Sequence, residues 1–169
     1  LSQPVTIETL NFNPFVGTAN IEGIQISKHT SLARALINIE IWPLLQQHLH
    51  IQSLVLSEGQ LPIKSVHDRL TVAGYLIEGT DSPADGETFR LSIEALILNK
   101  IDLEVEHATS THQIKIESFS LGTFDTAQSY RTPLRTSLTA NGGQINLEGH
   151  FSAQASEQNF IGAIKIVIW

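Results

Sequence analysis

Apolar and polar residues alternate along most of this chain. The runs Ile37–Ile41 and Ile101–Val105 carry an apolar residue at every second position. This period of two is typical of β-strands with one apolar and one polar face. Turn sequences such as Asn13-Pro14 and Asn141–Gly143 separate the runs. The pattern therefore predicts about ten or eleven strands, mostly antiparallel because their connections are short.

One segment departs from the alternation. Trp42–Leu49 has a proline at its second position, followed by Leu and Gln residues that favour helix. We therefore predict one short helix near residues 42–49, in a chain that is otherwise all-β.

A strand unit of eight residues recurs four times. Each copy is apolar at positions 1, 3, 6 and 8, with Ile at position 3 and Glu or Gln at position 4. The copies begin at residues 5, 49, 91 and 114, so successive starts lie 44, 42 and 23 residues apart. The copies are Val5–Phe12, Leu49–Leu56, Leu91–Leu98 and Ile114–Leu121.

The spacing within this unit changes parity. Positions 1 and 3 share one strand face, as do positions 6 and 8, but three residues separate position 3 from position 6. In a regular strand the two pairs would point to opposite faces. A β-bulge or a sharp twist at positions 4 and 5 would return both pairs to one face.

We expect a single domain over residues 1–169, a curved, twisted, mostly antiparallel sheet that forms an open groove or half-barrel. A closed β-sandwich is the alternative, because the same apolar faces would then pack against a second sheet. The candidate groove-lining or core residues are Val5, Ile7, Leu10, Phe12, Ile37, Ile39, Ile41, Ile51, Leu54, Leu56, Leu91, Ile93, Leu96, Leu98, Ile114, Ile116, Phe119 and Leu121.

Composition and charge exclude several functions. The net charge is −7 and no dense basic cluster is present, which argues against nucleic acid as a partner, since phosphate contacts need clustered Lys and Arg. The chain has no Cys, which excludes disulfides, Cys-ligated zinc and thiol catalysis.

The polar residues suggest no catalytic constellation. His48 and His50 form the tightest histidine pair, but a metal site needs further ligands. Asp102 and Glu104 alternate with apolar residues, as on the wet face of a strand. The sequence contains no Gly-rich phosphate loop and no nucleophile elbow. We therefore predict no catalytic residues, no metal, no cofactor and no enzymatic activity.

Six segments of the chain share a family resemblance. They are Gln3–Thr18, Ile21–Ile26, Ile37–Leu45, Leu49–Leu56, Gly59–Ile63 and Leu91–Leu121. These segments resemble the AsmA-like family, in its DUF748 branch. The first of them is similar to the part of that family that follows its N-terminal membrane helix, and the others are similar to its strand, turn and repeat segments.

The resemblance implies a role in lipid handling. Members of this family are similar to bridge-like lipid transfer proteins, with groove-bearing sheets in the periplasm and an anchor in the inner membrane. It therefore implies phospholipid or another acyl-chain lipid as ligand, and a part in outer-membrane biogenesis. Because the chain begins at Leu1 and lacks Met, we expect a fragment of a longer, membrane-anchored protein. Unpaired sheet edges predict a possible strand-edge homo-oligomer.

Overall fold

A computed structural model of the chain describes residues 5–27, 30–66, 69–72, 75–77, 90–107, 110–125, 131–140, 142–154 and 157–167. Within these ranges it contains thirteen strands and one short 3-10 helix, η1. The elements are β1 (Thr9–Asn13), β2 (Thr18–Ser27), β3 (Thr30–Glu40), η1 (Trp42–Gln46), β4 (His48–Val66), β5 (Arg69–Val72), β6 (Tyr75–Ile77), β7 (Arg90–Ile93), β8 (Leu96–His107), β9 (Ser110–Leu121), β10 (Phe124–Asp125), β11 (Arg131–Ala140), β12 (Gly143–Gln154) and β13 (Glu157–Val167).

All these strands belong to one sheet, with the main order β1-β2-β3-β4-β8-β9-β11-β12-β13. The 19-residue strand β4 lies at its centre. On one side β4 pairs first with β7 and then with β8, in parallel, and on the other it pairs with β3 and then β5, antiparallel. Every other described pairing is antiparallel, which confirms the mostly antiparallel arrangement.

The sheet is open and has a single layer. Among the described residues, β1 and β13 end the strand order and do not pair with each other. Elements that contact one another extensively are neighbours in the sheet, apart from β4 and η1. The prediction of an all-β open sheet is confirmed. The alternative of a closed β-sandwich is wrong, because no second sheet covers the first in the described part of the chain.

The predicted helix is shorter and tighter than expected. It is a 3-10 helix, and it ends at Gln46, after which Gln47 adopts a left-handed conformation with φ 56°. His48 and Leu49 already belong to β4. The physical reason is the parallel pairing of His48 with Arg90 and of Leu49 with Leu91, since ladder hydrogen bonds to a neighbour outweigh the weak helix preference of these residues.

The second and third copies of the repeat unit lie side by side. In the parallel pairing of β4 with β7 and β8, Leu49 is opposite Leu91 and Leu54 is opposite Leu96. Both partners are 42 residues further along the chain, as are the starts of the two copies. The repeat spacing is therefore the register of this pairing.

The predicted bulge is present in the second and fourth copies, at position 4 of the unit. Ile37 pairs with Leu54 while Ile39 pairs with Ile51, so Gln52 is an extra residue. Likewise the partners of Thr136 and Leu138 on β11 are Phe119 and Ile116, which makes Glu117 extra. Because alternate residues of a regular strand share a face, both bulges bring the two apolar pairs of the unit to one face.

Few apolar side chains are fully covered. Among the described residues only Ala35, Ile101 and Ile116 are buried apolar residues, and Ile101 is 0% exposed. Gly59 is opposite Ile101. The side chain of Leu32 lies against Gly59, since a Cβ at Gly59 would be 2.8 Å from Leu32 Cδ1. A flat single layer leaves one side of each residue open, so the complete burial of Ile101 places it inside a bend of the sheet.

Candidate functional site

Neighbouring strands align their apolar residues in rows on one face of the sheet, which we call the apolar face. The first row contains Leu10, Ile21, Ala35, Leu56, Leu98, Phe119, Thr136 and Leu147. The second row contains Phe12, Ala19, Ile37, Leu54, Leu96, Leu121 and Leu134. Eight strands spaced by about 4.8 Å make this face roughly 34 Å wide.

The register brings most of the sequence-predicted apolar residues together on this face, whereas Val5 and Ile7 precede β1, lie outside the paired rows and are exposed. On β1, Leu10 and Phe12 are each 57% exposed. Ile116 is the only predicted residue that is buried, and Ile41 lies at the exposed end of the β3 stripe. The remaining predicted residues on β3, β4, β7, β8 and β9 are half-buried. Apart from Ile116, these side chains therefore stay partly exposed to solvent, and their role as a lipid contact stays a prediction.

Sequence reasoning did not include several residues of the apolar face. Ala19 and Ile21 on β2, Leu134 on β11 and Leu147 on β12 complete the two rows. The signal that could have found them is the same period-two alternation, which these strands carry without the eight-residue unit.

The opposite face of the sheet is mixed, since Leu36, Val55 and Ile97 are paired neighbours in one of its rows. Another of its rows is polar and contains Thr9, Glu22, Arg34, Ser57, Asn99, Ser118, Ser137 and Asn146. Arg34 Nε donates to Asn20 Oδ1 over 3.1 Å. This contact joins Arg34 on β3 to Asn20 in the neighbouring row on β2. It is a cross-strand polar pair of the kind found on solvated faces.

Two exposed basic side chains, Lys64 and Arg135, form ion pairs with carboxylates. A hydrogen bond to Glu106, together with its charge, raises the pKa of Lys64, and Glu148 acts on Arg135 in the same way to raise its pKa. Both carboxylates sit on the next strand of the sheet. Since these groups are exposed, the pairs fix the local charge pattern without dominating stability.

A polar cluster lies where β4, β7 and β10 begin or end, beside η1. His48 and His50 occupy one face of β4, and their rings meet edge to face with centroids 5.6 Å apart. Ser92 Oγ is 2.7 Å from His48 Nε2 and 2.8 Å from His50 Nδ1. His50 Nε2 is 3.1 Å from a Glu94 carboxylate oxygen.

These distances define a consistent donor order. If His50 donates from Nε2 to Glu94, its Nδ1 is free to accept the proton of the Ser92 hydroxyl, and Ser92 then accepts from His48. A hydroxyl, an imidazole and a carboxylate in series also occur in serine hydrolases. Ser92, however, is only 4% exposed and its hydroxyl is held between two rings. The geometry fits a structural network that joins β4 to β7.

An ion pair extends this cluster onto β10. Arg90 Nε lies 3.1 Å and 3.2 Å from the two carboxylate oxygens of Asp125, and Arg90 Nη2 contacts the same carboxylate. The side chain of Asp125 is 5% exposed. A fork of this kind is a strong, directional contact, so it fixes the short strand β10 against β7.

Replacing Ser92 by Ala tests the structural interpretation. We expect the free energy of unfolding to fall by about 1–2 kcal/mol, because ring nitrogens of both histidines lose a partner. Urea denaturation measures this change. We also expect the wild-type chain and the variant to hydrolyse a nitrophenyl ester at the same background rate. Faster hydrolysis by the wild type would instead assign Ser92 a catalytic role.

Within the described residues, no cluster of three or more His, Cys, Asp or Glu side chains is arranged to hold a metal ion. None of the helices found there has the length and apolarity needed to span a membrane.

Comparison with known proteins gives no match to a protein family, to a characterised protein or to a solved structure.

Proposed function

We propose that this chain binds the acyl chains of phospholipid on its apolar face and has no enzymatic activity. The observation that carries the proposal is the face itself. Two rows of mostly apolar side chains cross eight and seven neighbouring strands, and no second layer covers them in the described part of the chain.

The physical chemistry supports a lipid as the ligand. Covering apolar surface is favourable by roughly 25 cal/mol per Å², and an exposed apolar surface of this extent marks a binding site in a stable protein. The residues on the apolar face are aliphatic or aromatic, with Thr136 as the polar exception in the two rows. Such a surface offers contacts to hydrocarbon and few hydrogen bonds to a polar ligand.

The resemblance to the AsmA-like family supports a cell-envelope location for this function. On that basis we propose that the chain is a periplasmic segment of a protein that is anchored in the inner membrane. It would bind or conduct phospholipid during outer-membrane biogenesis. The open edge at β1 could join a second copy or another part of the parent protein by strand pairing.

A matched pair of variants on β8 tests lipid binding. Leu98 lies on the apolar face and Ile97 on the opposite face of the same strand, and both are half-buried. We expect Leu98→Gln to weaken the binding of a fluorescent fatty acid roughly tenfold, since it places an amide against hydrocarbon. Ile97→Gln should leave the affinity within about twofold.

The binding is measured by fluorescence titration, and mass spectrometry of organic extracts identifies any lipid that copurifies. Equal affinities for the two variants would contradict the assignment of the face. A chain that carries no lipid and binds no probe would contradict lipid binding by the face.

A further inference from the structure

The end of the sheet formed by the β1–β2 turn and by η1 presents large apolar side chains to solvent. Phe15 is 95% exposed, Trp42 is 80% and Leu45 is 79%. Val16 and Leu44 are exposed beside them. We call these five residues the tip surface. They do not belong to the rows of the apolar face, because they lie in the connections beyond the ends of the strands.

The two connections meet and are held in place. Ile39 N donates to Gly17 O over 2.8 Å, and Phe15 N donates to Asn13 Oδ1 over 3.1 Å. Phe15, Val16 and Trp42 line one shallow depression. In η1, Leu44 N donates to Ile41 O and Gln47 N to Leu44 O. The exposed side chains thus project from a closed backbone and do not need to fold on binding.

The five residues of the tip surface carry no charge, although Glu40 lines the same depression as Phe15 and Trp42. Residues 12–18 and 41–47 contain no Asp, Glu, Lys, Arg or His. Their polar members are Asn13, Thr18, Gln46 and Gln47. Aromatic and aliphatic side chains with a few neutral polar neighbours match the boundary between headgroups and hydrocarbon, where Trp is enriched. The net charge of −7 and the missing cations argue against attraction to anionic headgroups.

We propose that the tip surface inserts into the interfacial layer of a zwitterionic lipid bilayer. Trp42, Phe15 and Leu45 enter the headgroup boundary, while the turn backbone stays hydrated there. Ile37, Ile39 and Ile41 form a stripe that leads from the apolar face to the tip. Insertion would therefore set one end of the apolar face against the bilayer. This goes beyond acyl-chain binding by the face, and each can hold without the other.

Flotation of the full 169-residue chain with vesicles of phosphatidylcholine tests the proposal. We expect the wild type to float with these vesicles, and adding phosphatidylglycerol or raising the salt concentration should not increase the bound fraction. The double variant Trp42→Ser, Leu45→Ser should bind roughly tenfold more weakly, since two large apolar side chains no longer leave water. The matched control Val5→Ser, Ile7→Ser alters two exposed apolar residues away from the tip and should float as the wild type does.

A spectroscopic measurement avoids any effect of the tip variants on folding. The chain has two tryptophans, so Trp169→Phe leaves Trp42 as the only one. Its emission should shift to shorter wavelength with phosphatidylcholine vesicles, and brominated lipid should quench it.

Several outcomes would overturn the proposal. They are no flotation with phosphatidylcholine, equal flotation of the tip variant and the wild type, binding only to anionic vesicles with loss at high salt, or a tip that binds a protein partner but no vesicle. The two proposals fail separately. The tip variant should keep its affinity for the fluorescent fatty acid, and Leu98→Gln should keep its affinity for vesicles.

Discussion

Replacing Ile101 by Ala should lower the free energy of unfolding by about 3 kcal/mol, within the usual range of about 2–5 kcal/mol for such truncations. Ile101 is the largest side chain that is fully buried among the described residues. It lies in a row with Gly59 on β4 and Ile116 on β9. Gly59 has no side chain to move into the space, so truncation leaves a cavity that a shift of Leu32 can fill only in part.

Ile97→Ala is the control for this experiment. The same atoms are removed from the same strand, but Ile97 is half-buried on the opposite face, so the loss should be about 1 kcal/mol. Urea denaturation followed by circular dichroism gives both values. Equal losses would mean that the burial of Ile101 does not reflect a bend that holds the sheet together.

Gly17→Ala should cost at least about 2 kcal/mol, or else displace the β1–β2 turn. Gly17 has φ +68°, and a Cβ there would lie 1.8 Å from the carbonyl oxygen of Ile39. A contact of that length is impossible, so the two chains must separate. The hydrogen bond from Ile39 N to Gly17 O would then be lost as well. We therefore expect the variant to lose vesicle binding by the tip together with stability.

Gly142→Ala separates the cost of a positive φ from the cost of the contact with Ile39. Gly142 also has a positive φ, +83°, but nothing lies within 4 Å of a Cβ built on it. Its replacement should cost only about 1 kcal/mol, the penalty for an L-residue in the left-handed region. The difference between the two variants measures the close approach of Gly17 to Ile39. Similar losses for both would contradict the clash.

The repeat unit contained more information than the alternation alone. Its change of parity predicted a bulge or a sharp twist at positions 4 and 5, and in two copies the extra residue is at position 4, as Gln52 and Glu117. The 42-residue spacing also equals the register of β4 against β8. That equality could not be recognised from the sequence, because a repeat distance does not say whether its copies are neighbours in the sheet.

Three features of the structure could not be predicted from the sequence, each for a physical reason. Alternating runs bury one face in a sandwich and in an open sheet alike, so the pattern could not exclude a second layer. The His48–Ser92–His50 contacts could not be predicted, because they join strands whose pairing depends on a long connection. Trp42 and Leu45 were treated as part of a helix, and their exposure follows from the 3-10 helix that ends at Gln46.

The parallel alignment of the second and third copies also bears on how such a sheet can evolve. A strand beside an unshifted copy of itself, as Leu54 is beside Leu96, offers its next neighbour the same hydrogen-bonding groups and the same side chains. Duplication of the segment between them therefore yields a strand that already has a compatible neighbour. A duplication of this kind would therefore keep the rows of the apolar face in line, because the copy and the original share one register.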